Sequence, residues 1–399
     1  MTTTDLQVQG FQYAAVKSGI RGKDRLDLGL IYCEEEAVAA GVFTKNLVKA
    51  APVLLGMERL KNNRLQAVLL NSGIANACTG ELGMVNAKQT AAQVADELGI
   101  SEDLVLVSST GVIGMQLEMD CFLDGIPRVV KELSSSGGPG VASAIMTTDT
   151  QPKMASRTVM INGTEVKISG ISKGAGMIMP NMATMLCFIM TDAKIEAAAL
   201  QQMLGTSIDL SFNRITVDGD SSTNDTVLAM ASGRADNQPV ISLDTEAGQA
   251  FQAALSGLCL ELAKMIVKDG EGATKLITVR VNGALSDQEA DLAARTVANS
   301  ALVKTAFFGQ DANWGRIIGA LGRSGAQFDA EVVDIAFDAI TMVQDGLGLG
   351  AEVEVEASKV LRQDEFTVTI DLKAGDASTE IYTCDFSIDY VKINADYRT

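Results

Sequence analysis

The sequence predicts an α/β fold that gives way to a smaller α+β part near the C-terminus. Three observations predict it. The N-terminal half alternates short apolar runs with amphipathic stretches, the pattern of strands exchanged with helices. The chain has 399 residues and is 47 % hydrophobic but only 5 % aromatic, which suits a large aliphatic α/β core. From about residue 327 the pattern turns to alternating strands, as at 366–372.

The elements follow in order. Residues 66–70 read as a buried strand running into a polar turn at Asn71-Ser72-Gly73. Residues 84–98 form an amphipathic helix, with Gly99 just past its end. A strand at 104–107 breaks at Ser108-Ser109-Thr110-Gly111, and the Ser/Gly/Pro-rich stretch 134–140 is a surface loop. Strands at 158–161 and 164–168 flank Asn162-Gly163, a type I′ hairpin signal. Thr184 heads another strand. Asp192 can cap a helix reaching about Ile208, and 214–217 is a short strand leading into the polar loop from Asp218 to Asp225. A long helix spans 244–267 and ends at Asp269-Gly270-Glu271-Gly272; a strand at 276–281 and helical residues 286–306 follow. A soft domain boundary falls near 280, giving parts 1–280 and 281–399. Gly346-Leu347-Gly348-Leu349-Gly350 reads as a turn, because no clear strand and helix flank it and no phosphate-loop motif exists.

Net charge is −18, so nucleic acid and anionic membrane surfaces are poor partners. The acidity is spread along the chain, as solubility requires. The start, Met1-Thr2-Thr3-Thr4-Asp5, lacks the basic and apolar regions of a signal peptide, and no run of about 18 apolar residues occurs. The expected location is cytoplasmic, with the six scattered cysteines reduced.

The chain contains no histidine. Ser-His-Asp and Cys-His catalysis and His-ligated zinc are therefore excluded. Gly170-Ile171-Ser172-Lys173-Gly174 fits the nucleophile-elbow pattern but lacks its base. Attention falls instead on the stretch from Lys173 to Thr184. A Gly/Pro-punctuated loop ends in Pro180-Asn181-Met182-Ala183, then Thr184, then an apolar run. If the Ala183–Thr184 bond breaks, Thr184 gains an α-amine with an ordinary pKa near about 8, able to act as base for its own hydroxyl. The hydroxyl can make the break itself by attacking the preceding carbonyl; water then opens the ester. An ordinary strand start remains the alternative. Ser109-Thr110-Gly111 could supply a hydroxyl and an N–H to a developing oxyanion, or be a plain strand-ending turn. Lys173, Glu271 and the tail residues Asn394 and Thr399 each read either as site residues or as solvated polar groups.

The segment from Lys173 to Ala193 closely resembles the signature of the ornithine acetyltransferase family (glutamate N-acetyltransferase, the ArgJ family of arginine biosynthesis). Other stretches match in the same order: Gly41-Val42-Phe43-Thr44, Ala50-Ala51-Pro52-Val53, 71–80, Ser108 to Gly111, Met146-Thr147-Thr148-Asp149-Thr150, 215–220, 268–275, Asn313-Trp314-Gly315-Arg316-Ile317 and the tail from Asn394 to Thr399. One departure is Ile74, where the family often has a polar residue.

The resemblance implies a layered α/β sandwich related to the DmpA aminopeptidases, with a smaller C-terminal α+β part whose tail returns to the active site. It implies self-cleavage between Ala183 and Thr184, with Thr184 as the acetylated nucleophile and Thr110 and Gly111 as the oxyanion hole. Thr147, Lys173, Thr184, Glu271, Asn394 and Thr399 would bind substrate. The implied reaction is ping-pong acetyl transfer from N-acetylornithine to glutamate, without cofactor or metal. Acetyl-CoA is a further donor in some family members. The two fragments would stay together and assemble as a heterotetramer of two α and two β chains. A DmpA-like aminopeptidase is the rival reading; those enzymes start their second chain with Ser.

Overall fold

The computed structural model describes residues 5–22, 24–179 and 185–396. The described residues divide into two compact units: one takes those up to Asn213 together with Asp220–Ile266, the other takes Arg214–Gly219 and those from Val267 onward.

The first unit is built on a mixed sheet. Its strands are β1 (Phe11–Val16), β2 (Leu28–Phe43), β3 (Arg64–Asn71), β4 (Val105–Ser109), β5 (Lys153–Ile161), β6 (Thr164–Lys173), β7 (Leu186–Thr191) and β8 (Thr226–Ala231). They lie in the order β4-β3-β2-β8-β7-β6-β5, with β1 also paired to β2. The β3/β4 and β7/β8 pairs are parallel; the others are antiparallel. The apolar run at 66–70 is buried on both faces, which is why it does not alternate. Ala67 and Leu69 pack in one cluster with Ala91, Val94 and Phe122, while Val68 and Leu70 pack in another with Phe188 and Met230.

Several sequence expectations are refined here. Strands β3 and β4 run on through Asn71 and Ser109 instead of stopping at apolar residues, because those polar side chains are themselves buried. The Asn162-Gly163 turn is as expected, with both φ angles positive (50° and 84°) and Ile161 paired to Thr164. The helices are α1 (Ala51–Arg59), α2 (Gly80–Leu98), α3 (Met119–Lys131), α4 (Gly138–Ala144), α5 (Ala197–Asp209) and α6 (Glu246–Lys268). Helix α4 occupies the end of the stretch expected as surface loop. Asp192 does not cap α5; its Oδ1 accepts from the Lys167 N–H at 2.8 Å and ties the end of β7 to β6. Helix α6 is long and apolar enough to pass as a membrane span. It is the core helix of a folded unit: Phe251, Leu255, Leu258, Leu262 and Ile266 are buried, and Glu261 pairs with Arg157 of β5 at 2.6 Å.

The second unit carries a six-stranded sheet of β9 (Leu276–Ala284), β10 (Asp334–Phe337), β11 (Ile340–Gln344), β12 (Leu347–Gly348), β13 (Glu365–Asp371) and β14 (Ala377–Cys384), in the order β12-β11-β10-β13-β9-β14. Its helices are α7 (Asp287–Ala298), α8 (Ala301–Phe308), α9 (Trp314–Leu321), α10 (Ala351–Val360) and α11 (Ile388–Asp396). The boundary expected near 280 falls inside β9, which pairs parallel to β13 and antiparallel to β14 and so belongs with the C-terminal strands. Residues 286–306 are two helices, broken at Asn299-Ser300. Residues 214–217 make no ladder strand, only an isolated bridge from Ile215 to Tyr382. The Gly346–Gly350 stretch does lie between a strand and a helix: it contains β12 and runs straight into α10. Val279, Val281, Phe307, Phe366 and Val368 form the core, with Phe307 edge-on to Phe366 at 5.5 Å.

Candidate active site

Several strand termini of the first unit meet at one place. Lys173, the last residue of β6, pairs with Leu186, the first of β7; Leu186 pairs in turn with Thr226, the first of β8. The end of β4 is sewn to this edge by Asn224, whose Nδ2 donates to the carbonyls of Ser109 (2.8 Å) and Ala75 (2.6 Å). The segment following β4 and the segment preceding β5 therefore face the end of β6.

Lys173 is the centre of the arrangement. It is 9 % exposed, and its Nζ donates to Thr147 Oγ1 at 2.9 Å and lies 3.3 Å from Thr110 Oγ1. Three residues singled out from the sequence, Thr110, Thr147 and Lys173, are thus brought together. Ser172 cannot be an elbow serine: it lies inside β6, paired with Lys153 and Cys187, and its buried Oγ has no hydrogen-bond partner among the described residues.

Asp149 balances the buried cation. Its Oδ1 accepts from Lys153 Nζ and from the Gly174 N–H, both at 2.7 Å, and its Oδ2 accepts from the Thr147 N–H at 3.0 Å. Burial alone would raise its pKa. The charges of Lys173 and Lys153 and these hydrogen bonds outweigh that and hold it well below the usual carboxylate range. Asp225, just before β8, is the opposite case. Burial pushes its carboxyl well above the ordinary value, only partly offset by Ser222, Lys173, the Met185 backbone and Thr44. Its Oδ2 is buried without a hydrogen-bond partner among the described residues. Arg21 completes the wall by donating to the carbonyls of Met146 and Thr147, the latter at 3.2 Å.

Gly111 follows Thr110 with φ 131°, a conformation that favours glycine. Thr110 N–H is bonded to Asn71 O and Val112 N–H to Gly73 O, each at 3.0 Å, whereas the Gly111 N–H has no acceptor among the described residues. Such an N–H is what an oxyanion needs. Ile74, the departure from the family pattern, is 2 % exposed and bridged to Thr110 and Val112, so it packs beneath this turn. A Cβ on Gly111 would sit 2.2 Å from the Gly73 carbonyl carbon. Gly111→Ala must therefore shift backbone on both sides of the turn. The expected result is a folded protein with chain cleavage slowed by about 10²-fold or more, as for displacement of an oxyanion donor; a gel time course of freshly made protein checks it, and cleavage at the normal rate would show that the placement of the Gly111 N–H does not govern cleavage.

In the second unit, Glu271 and Asn394 are also brought together. Glu271 is 8 % exposed and its Oε2 accepts from Asn394 Nδ2 at 2.8 Å. Ser387 Oγ donates to Gly272 O at 2.6 Å and holds this turn against the start of α11. Ala183, Thr184 and Thr399 lie outside the described residues. The first described residue after Thr184 is Met185, whose carbonyl accepts from Thr226 N–H at 3.1 Å.

Sequence reasoning assigned no role to Arg21, Lys153, Asn224 or Asp225, and quoted Asp149 only as part of a motif. Burial and long-range pairing of polar groups are the missing signal, and both are properties of the folded chain. No three His, Cys, Asp or Glu side chains gather as metal ligands among the described residues.

A buried lysine and two threonine hydroxyls meet at one edge of a mixed sheet, beside a glycine N–H with no acceptor among the described residues, an arrangement that suits an α/β enzyme of acyl transfer. The chain belongs to the ArgJ family, whose sequence model matches residues 12–399. It is 55 % identical over 394 residues to the arginine biosynthesis bifunctional protein ArgJ of Desulfotalea psychrophila, covering 99 % of this chain and 100 % of the relative. It is 53 % identical over 394 residues to the protein of the same name from Geobacter sulfurreducens, again covering 99 % and 100 %. Among solved structures, arginine biosynthesis bifunctional protein ArgJ of Bacillus halodurans is 46 % identical with a TM-score of 0.52; the match covers 54 % of this chain and 100 % of that one.

Proposed function

We propose that this protein transfers an acetyl group from N2-acetyl-L-ornithine to L-glutamate through an acetyl ester on Thr184. Membership of the ArgJ family makes it an acetyltransferase of arginine biosynthesis. The observation that supports the site assignment best is the meeting of Lys173, Thr147 and Thr110 at one edge of the sheet. A DmpA-like aminopeptidase is not favoured, since the ArgJ family match runs over residues 12–399 and the residue after the cleavage point is Thr.

The chemistry begins with self-processing. The Thr184 hydroxyl attacks the Ala183 carbonyl, the C–N bond breaks to an ester, and water opens the ester. Ala183 is left with a carboxylate and Thr184 with a free α-amine. That the Bacillus halodurans chain matches along its whole length yet covers 54 % of this one supports such a division. In turnover the amine takes the hydroxyl proton as the oxygen attacks the acetyl carbonyl of N-acetylornithine. The acetyl C–N bond breaks, the proton passes to the leaving amine, and ornithine departs. The amine of glutamate then attacks the ester and regenerates the hydroxyl. Thr110 and Gly111 stabilise the oxyanion in each step. Thr147, Lys173, Thr184, Glu271, Asn394 and Thr399 bind the substrates, the tail residues taking the amino-acid end.

The fragments 1–183 and 184–399 form a cytoplasmic heterotetramer of two α and two β chains. The word bifunctional in the relatives' names supports a second reaction, acetylation of glutamate by acetyl-CoA. One nucleophile serving two amines in turn dictates ping-pong kinetics. Initial rates against N-acetylornithine at several glutamate levels are expected to give parallel double-reciprocal lines. Intersecting lines would establish a ternary complex and remove the acetyl-Thr184 intermediate.

A further inference from the structure

We propose that Asp149 is a positioning residue for acyl transfer: it locks Lys173 and Thr147 into one geometry, with Lys153 holding it in place. The inference rests on the acetyl-transfer reading and adds to it a residue that has no assigned role.

The argument is one of connectivity. Asp149 Oδ2 accepts the Thr147 N–H at 3.0 Å. Thr147 Oγ1 accepts from Lys173 Nζ at 2.9 Å. Lys173 is joined through its peptide bond to Gly174, and the Gly174 N–H returns to Asp149 Oδ1 at 2.7 Å. The circuit is closed, and every link is either covalent or a hydrogen bond in which at least one partner, Asp149 or Lys173, is buried. Asp149 is 6 % exposed and Lys153 1 %. The Lys153 ammonium lies 2.7 Å from Oδ1, so the carboxylate is pinned from a third direction. Gly174 has φ 153°, a backbone conformation that favours glycine.

A carboxylate is the group this position needs. Thr147 N–H and Gly174 N–H approach different oxygens, so both oxygens must accept. An amide in the same place has one acceptor and one NH₂. Whichever way it is turned, one of the two backbone donors faces another donor. The side chain can therefore be replaced with little change of shape, yet the link between the Thr147 segment and the Lys173 segment is cut. A misplacement of about 1 Å in a positioning group is enough to slow an oriented reaction by about 10²-fold.

Asp149→Asn alone is an ambiguous test, because it removes the carboxylate charge that faces the buried Lys153 ammonium at 2.7 Å and costs stability. The pair Asp149→Asn/Lys153→Met removes both charges in nearly the same volume. The experiment compares wild type, Asp149→Asn and the double variant by thermal unfolding, by chain cleavage, and by kcat and KM for transfer from N-acetylornithine to glutamate. The single variant is expected to melt well below wild type, and the double variant to recover most of that loss. In the double variant kcat/KM is expected to stay at least about 30-fold down, with the loss shared between kcat and KM. Recovery of kcat/KM to within about twofold of wild type alongside recovered stability would show that Asp149 serves the fold alone, and would overturn the proposal. Failure of the wild-type protein to transfer acetyl at all would overturn the acetyl-transfer reading on which the proposal rests, and is told apart by the wild-type control.

Discussion

Thr184→Ala is expected to remain one uncut chain and to show no acetyl transfer. Both losses follow from a single atom. In the proposed mechanism the Thr184 hydroxyl oxygen both attacks the Ala183 carbonyl during processing and carries acetyl during turnover. With no histidine anywhere in the chain, no imidazole can stand in as base for another nucleophile. The substitution also prevents release of the α-amine, so nucleophile and base disappear together. Intact-mass measurement under denaturing conditions should find two fragments, 1–183 and 184–399, for wild type and one species for the variant. No disulfide is expected to hold the wild-type fragments; the described cysteines are all free, four of them buried. Efficient cutting of Thr184→Ala at the same bond would mean that the hydroxyl is not the processing nucleophile. Thr184→Ser should separate the two roles of the side chain, keeping the hydroxyl while removing the methyl group that restrains its rotamer. It is expected to cleave and to retain part of the transfer activity.

The part of this site that the sequence reveals is the part that carries its own local signature. A Gly/Pro-punctuated loop before Thr184, a Gly after Thr110 and a Gly-flanked Glu271 are visible without a structure, because each announces a special backbone. The resemblance to the ArgJ family then ranks them above ordinary turns. What the sequence hides is the pairing of segments far apart in the chain. Nothing in the order of residues says that Lys173 will meet Thr110 and Thr147, or that Asn224 will bridge Ser109 and Ala75. Those contacts depend on the register of β6 against β7 and of β7 against β8, in which a slip of one residue would turn Lys173 to the other face.

The fold shows the same division. Runs buried on both faces, such as β3, and the Asn162-Gly163 hairpin are legible because their chemistry is local. The soft boundary expected near 280 falls within β9, which in the sequence looks like any apolar strand. Only its partners β13 and β14, about 80 to 100 residues further along, assign it to the second unit. Asp192 differs from the expectation for a related reason. Its composition suits a helix cap, but a long-range bond to Lys167 N–H takes its carboxylate instead.

Removing the Lys173 ammonium tests the centre of the described site most directly. Lys173→Met keeps a flexible chain of similar length but takes away the charge and the donor to Thr147 Oγ1. The fold is expected to survive, because Asp149 retains Lys153 as a partner at 2.7 Å and the Gly174 N–H at 2.7 Å, so no carboxylate is stranded. Chain cleavage is expected to survive too, since the proposed mechanism draws for it only on Thr184, its neighbours and the oxyanion donors. Transfer is another matter. In a site this buried, a cation facing a developing negative charge or a substrate carboxylate acts in a medium that screens it poorly. Loss of such a group costs about 10²-fold to 10³-fold in kcat/KM, or about 2.7–4 kcal/mol of barrier. The variant should therefore appear as two fragments on a denaturing gel, unfold near the wild-type temperature, and transfer acetyl from N-acetylornithine to glutamate at least about 10²-fold more slowly. If it is cut, stable and within about threefold of wild-type kcat/KM, Lys173 holds Thr147 for structural reasons only, and the substrate must be bound elsewhere.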